Sequence, residues 1–118
     1  MAESAPVRGY VCLVSKTHAV DLHDLTDKAA IAFMRDARRV SAALASSTDA
    51  VKINYEIHGN TLPHFHMHFF PRHRGDRLED QPINPKLVTP PVYGADEFRS
   101  ILDGFLHGLT ILFRERNV

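Results

Sequence analysis

Residues 64–70 run His64-Phe65-His66-Met67-His68-Phe69-Phe70, with histidine alternating with large apolar residues at strict two-residue spacing. That period belongs to an extended strand, which sends successive side chains to opposite faces. It places the three imidazoles on one face, roughly 6–7 Å from one to the next. Phe65, Met67 and Phe69 then turn the other way into a core. Folding alone does not ask for histidine here, since Thr, Lys or Glu would serve a half-buried strand as well. Three imidazoles in register gather groups that titrate near neutrality and act as nucleophile, acid, base or metal ligand. A polar face that happens to be histidine is the weaker account of such a pattern.

The rest of the chain supplies a scaffold for that strand. Gly9 to Ser15 is a short apolar run that reads as a buried strand. Thr26 caps a helix whose apolar stripe is Ala30, Phe33, Met34, Ala37, Val40 and Leu44, ending near Ala45–Ser47. Val51, Ile53, Tyr55 and Ile57 alternate with Lys52, Asn54, Glu56 and His58, the period of a second strand. His58-Gly59-Asn60-Thr61 makes a turn, so the His-rich strand runs antiparallel to its predecessor until Pro71 stops it. A final helix carries Phe98, Ile101, Leu102, Phe105, Leu109 and Leu112 on its apolar face. Gly104 and Gly108 weaken it, so packing must hold it. The 118 residues form one domain by length: a tail at 1–8, a long proline-rich loop at 72–95 and a C-terminal helix at 96–116. The fold class expected is α+β, an antiparallel sheet with helices packed on one side.

Charge excludes some functions. Lys plus Arg (14) balances Asp plus Glu (14), which leaves no electrostatic footprint for nucleic acid or an anionic membrane. Arg72, His73, Arg74 and Arg77 form a local basic patch, read as solvated and placed to steer an anion. Cys12 is the one cysteine; no disulfide framework can exist, and a buried inert thiol is expected. The N-terminus has neither the basic nor the apolar region of a signal peptide, and no apolar run approaches membrane-spanning length. A cytoplasmic protein is the expectation.

Two chemistries fit three imidazoles on one strand. Adjacent His-x-His residues can share zinc, but such a site wants further Cys, Asp or Glu ligands, and Pro71-Arg72-His73-Arg74 follows instead. The other chemistry is nucleophilic attack on phosphorus, giving a phosphohistidine-type intermediate that water resolves. His66, flanked by an imidazole on either side, is then the nucleophile. His68 hydrogen-bonds phosphate oxygens or protonates the leaving group. His64 holds His66, directly or through the backbone, in the tautomer that frees its reactive nitrogen. Gly59, Asn60 and Thr61 offer backbone N–H groups and a hydroxyl to a phosphate, and Asn54 offers an amide.

The segment resembles the histidine triad superfamily of nucleotide hydrolases and transferases, whose motif is His-φ-His-φ-His-φ-φ with φ hydrophobic. Gly59-Asn60-Thr61 looks like the family's Gly-Gln-Ser/Thr phosphate loop, and Asn54 like a strand asparagine of some branches. Gly9 to His18 is similar to the strand that ends in a Pro-Lys-x-His-like segment, and Leu22-His23-Asp24-Leu25 to the lead-in of its helix. About residues 9–75 are covered. Asn60 stands where the family has Gln, Ser15 where it has Pro, and the Phe-x-Asp-x-x-Pro-like segment that binds base and ribose has no counterpart before Gly9.

Carried over, the resemblance implies His66 as nucleophile, His68 as phosphate ligand, His64 and His18 as orienting residues, and Asn54 and Thr61 as phosphate contacts. It implies no cofactor and no metal. The expected activity is hydrolysis or transfer at the α-phosphate of a nucleotide conjugate, a nucleoside phosphoramidate or dinucleoside polyphosphate. A homodimer is implied, with Thr26–Ser46 and the strand near Val51–Ile57 at its interface. The alternatives are a nucleotide-binding module without turnover and a metal-dependent hydrolase built on the same histidines.

Overall fold

The computed structural model describes residues 1–5, 7–76, 78–88 and 92–115. Strands β1 (Val11–Val14), β2 (Lys52–Glu56) and β3 (His66–Arg72) form one antiparallel sheet in the order β1-β3-β2. The histidine strand is thus central. Helix α1 (Asp27–Thr48) covers one face of the sheet, and helix α2 (Glu97–Arg114) packs on α1. The α+β class, an antiparallel sheet with its helices on one side, is what the periodicities required.

Local chemistry sets the bounds of α1. The Thr26 hydroxyl accepts from the Ala29 N–H at 3.2 Å, and Asp27 places a negative charge in the first turn. The helix runs to Thr48 and ends as Asp49 turns left-handed at φ 55°. Its buried residues Phe33, Ala37, Val40, Ala43 and Leu44 meet Val11, Ile53, Phe65, Met67 and Phe69 in one apolar cluster. Each fully buried Leu, Val or Phe there contributes roughly 1.5–3 kcal/mol. Met34, on the expected stripe, instead stands 50% exposed. On α2, Ile101 and Phe105 are buried. Phe98 is only half-buried and packs edge-on against Tyr93, outside the core expected of it. Gly108 lets the helices close: a Cβ there would lie 3.4 Å from that of Ala43.

Two expectations at the end of the histidine strand are corrected. Pro71 does not stop β3, which continues to Arg72 and pairs Pro71 with Ile53. The Arg72 carbonyl accepts from the Val51 N–H at 2.9 Å, so that residue's backbone faces β2. The backbone of Pro71 therefore faces the β1 side, where β1 has already ended at Val11, and its missing N–H costs no ladder bond. Gly9 passes close by: a Cβ there would lie 2.7 Å from Thr48 Cγ2 and 3.0 Å from Pro71 Cγ, at φ +78°.

Arg72 is buried rather than solvated. Its Nε and Nη2 reach both Asp76 carboxylate oxygens at 2.9 Å, and its remaining N–H groups donate to Asn54 Oδ1 and the carbonyls of Leu78 and Gln81. The guanidinium thereby ties the start of the long loop to the sheet. Arg74 is exposed as expected, and Arg77 lies outside the described residues.

Candidate active site

The histidines are not three equal members of one strand. His64 lies just ahead of β3, where Phe65 N–H donates to the Ala19 carbonyl and Ser15 N–H to the Phe65 carbonyl. The His64 Nε2 is 2.7 Å from the Ser15 carbonyl. A carbonyl only accepts, so Nε2 carries the proton and Nδ1 of the neutral ring is an acceptor. His18 Nδ1 approaches that Nδ1 at 3.2 Å and donates to it. It is the His64 carbonyl, rather than its ring, that holds the next histidine, at 2.6 Å from His66 Nδ1. By the same logic His66 carries a proton at Nδ1, which in the neutral ring leaves the lone pair on Nε2.

His66 is buried and His68 half-buried, and their rings meet edge-to-face at 4.7 Å between centroids. Directly paired residues share a face of the sheet. The face of His66 and His68 therefore also carries Val14 and Cys12 from β1, and Glu56 and Asn54 from β2. Cys12 is half-buried on this face, not sunk in the core as expected. Burial pushes its thiol pKa up.

Tyr10 was not singled out from sequence, yet its hydroxyl is 2.6 Å from His68 Nδ1 and its ring stacks on that imidazole. Burial first, then Cys12, pushes the Tyr10 pKa to about 12, so the hydroxyl keeps its proton at neutral pH. His68 is held below the ordinary imidazole value, first by burial and then by the charges of His66 and His58, with Glu56 opposing. A protonated phenol beside a neutral ring donates to Nδ1 and leaves His68 Nε2–H as a donor. The result is a free nitrogen lone pair on His66 beside an N–H on His68, one group to attack phosphorus and one to bind its oxygens.

Of the expected phosphate residues, Asn54 shares this face of the sheet from β2, and Gly59, Asn60 and Thr61 precede His64 in the chain. Asn54 is opposite Phe70, one pleat beyond the His68 position. Its Oδ1 accepts from Arg72 at 2.7 Å, which leaves its NH2 as the free end. Gly59 takes φ +108°, a conformation glycine alone adopts freely, and exposed Asn60 and Thr61 follow it in the bend before His64. His58, read from sequence only as part of the turn, stands 6.1 Å from His68 between ring centroids and 3.0 Å from Glu56. His73 donates to or accepts at no part of this face; its Nε2 meets the Thr48 carbonyl at 2.8 Å.

Residues 2–75 match the family model of the HIT domain. The chain belongs to the histidine triad family. A histidine triad protein of Bradyrhizobium japonicum is 27% identical, with a TM-score of 0.76 over 91% of this chain and 79% of that one. A histidine triad protein of Marinobacter aquaeolei superposes with a TM-score of 0.73 at 23% identity, over 87% of this chain and 75% of that one. A hypothetical histidine triad nucleotide-binding protein of Sulfolobus tokodaii does so at 0.70 and 14% identity, over 98% and 78%. No curated protein matches the sequence. Among the described residues no helix is long and apolar enough to cross a membrane.

Proposed function

We propose that this histidine triad protein cleaves nucleotide conjugates at the α-phosphate, passing the nucleotidyl group through His66 to water or another acceptor. The substrate class is nucleoside phosphoramidates or dinucleoside polyphosphates. The observation that carries the reading is the 2.6 Å bond from His66 Nδ1 to the His64 carbonyl, because it fixes the tautomer in which Nε2 is nucleophilic. Nε2 attacks phosphorus, a P–N bond forms, and the bond to the leaving group breaks with its electron pair as that group takes a proton from solvent. The imidazolium so created is stabilised by the carbonyl at Nδ1. His68 Nε2–H binds a non-bridging oxygen, the amide of Asn54 and the Gly59-Asn60-Thr61 bend take the others, and His18 and His64 hold the arrangement. Water then attacks phosphorus, the P–N bond breaks, and the nucleotide leaves with the hydroxyl while a proton passes to solvent. A nucleotide ligand is in keeping with the nucleotide-binding description of the Sulfolobus protein.

A homodimer through α1 and β2 belongs to the same reading, supported by the outer edge of β2, which pairs with no strand among the described residues, and by exposed Ile31, Met34 and Tyr55. The test is intact-protein mass spectrometry after mixing with adenosine 5′-phosphoramidate and quenching without acid. An adenylyl adduct mapping to His66 and missing from His66→Ala is expected. Tight nucleotide binding with neither adduct nor released AMP would replace this reading with a binding module.

A further inference from the structure

Cys12 has no task in the nucleotidyl chemistry, yet it pairs with His68 across the ladder and faces the same way. Its Sγ and one nitrogen each of His66 and His68 all lie within 4.8 Å of one another. We propose that Cys12, His66 and His68 bind one zinc ion, and that the bound ion shuts the nucleotidyl site. The site stands on its own geometry; the shut-off rests on the function proposed above.

The donor set selects the metal. One thiolate and two imidazoles suit a soft or borderline cation, whereas magnesium and calcium require oxygen ligands. Tetrahedral zinc with arms of about 2.0–2.3 Å separates its ligands by roughly 3.3–3.8 Å, so small side-chain rotations close the site around the ion. Three protein ligands leave the fourth position to water. His66 Nδ1 is engaged by the His64 carbonyl, so Nε2 must be its ligating atom, and the carbonyl becomes the outer partner that orients it. His68 keeps its bond to Tyr10. A phenol hydroxyl donates or accepts, so Nδ1–H can donate to Tyr10 while Nε2 turns its lone pair to the metal. The Cys12 thiol releases its proton to solvent as the Zn–S bond forms.

Metal and substrate exclude one another at two atoms. Zinc occupies the Nε2 lone pair of His66 that would attack phosphorus, and it requires the His68 tautomer opposite to the one that hydrogen-bonds a phosphate. The other trio of such ligands among the described residues is Asp21, His23 and Asp24. It is wholly exposed, and Asp24 is already engaged by the backbone N–H groups of Val20 and Asp21.

The test is titration of the whole protein with Co2+ as a spectroscopic substitute, then displacement by Zn2+. A thiolate-to-cobalt charge-transfer band saturating at one ion per chain is expected. In Cys12→Ser that band is lost and zinc affinity falls by more than about 100-fold, the upper end for losing even an outer partner. In turnover, zinc should compete with adenosine 5′-phosphoramidate. Cys12→Ser, scored against its own metal-free rate, should need at least about tenfold more zinc for half inhibition. X-ray absorption of the zinc-loaded wild type reads a sulfur at about 2.3 Å and needs no variant, which covers a variant that fails to fold. A cobalt spectrum without the band, or zinc affinity untouched by Cys12→Ser, overturns the site. Zinc that binds but leaves turnover unchanged overturns the shut-off. A Cys12-dependent band in a protein that turns nothing over upholds the site and rejects the nucleotidyl reading alone.

Discussion

The His64 carbonyl fixes the proton of His66 from the backbone, so no substitution at His64 removes that acceptor, and the informative changes are to the rings themselves. His66→Ala should bring turnover of adenosine 5′-phosphoramidate below detection while the cooperative melt is kept, because His66 is outside the apolar cluster. A variant that unfolds would place the ring in the core instead. Tyr10→Phe keeps the ring stack and deletes only the hydroxyl on His68 Nδ1. If that bond holds His68 in its donating tautomer, kcat should fall about tenfold, the equivalent of one hydrogen bond's ~1.4 kcal/mol in the transition state. KM should stay nearly unchanged, whereas a purely structural role would show in the melting temperature and leave kcat alone. The alternation of His64, His66 and His68 was legible as chemistry because nothing in strand packing demands histidine. Tyr10 and Cys12 were not. They reach the site only through the register that sets Cys12 against His68, and a strand's own period says nothing about its partner's register.

Among the elements, β3 is where reading by local rules went furthest and then failed. The alternation of the strand and its antiparallel neighbour were plain, as was the capped start of α1 at Thr26. The end of β3 was misread because proline was taken as a terminator, although its effect depends on which side its missing N–H would face. Arg72 was misread because its partner Asp76 comes from the loop that follows, and sequence spacing outside a helix does not announce such contacts. The consequence is measurable. Arg72 is almost fully buried, with a side chain 6% exposed against 23% for Asp76. Removing one member of such a pair costs roughly 3–5 kcal/mol, so Arg72→Met should lower stability by about that much and free Asp76 and residues 78–81 to hydrogen exchange. The Arg72 hydrogen bonds hold the Asp76 carboxyl below the usual carboxylate value. A depressed folded pKa stabilises above the unfolded value near ~3.9. That contribution is lost as pH falls below ~3.9 through the folded value. Melts of wild type and Asp76→Asn should therefore differ most above pH ~5 and draw together as pH falls below ~3.9; a gap independent of pH would assign the effect to packing.

For the molecule as a whole, the sheet order leaves β1 and β2 as edges, and the two edges are not alike. On the β2 side, Val51, Tyr55 and Ile57 are exposed, and the neighbouring surface of α1 adds exposed Ile31 and Met34. Met34 and Tyr55 line one groove with Ala42, Ala45 and Met67. Scattered exposed hydrophobes need no explanation, but a contiguous set beside an unpaired strand edge does. In the proposed dimer, a second copy related by a two-fold axis would cover helix and edge together, since such an interface presents the same patch from both subunits. This grouping could not be seen in the sequence, where Met34 counted as core by its helical spacing; in the fold it stands 50% exposed and lines a groove with Tyr55. With a chain of 13.3 kDa, light scattering during gel filtration should give twice that mass. Met34→Glu brings two like charges toward each other across the axis and desolvates both, so it should halve the mass while the isolated chain keeps its helical and strand signals. If wild type runs at the mass of one chain at tens of micromolar, this surface is not a self-interface. If Met34→Glu stays dimeric, the contact runs through the β2 edge without α1, and Tyr55→Lys becomes the substitution that should separate the subunits.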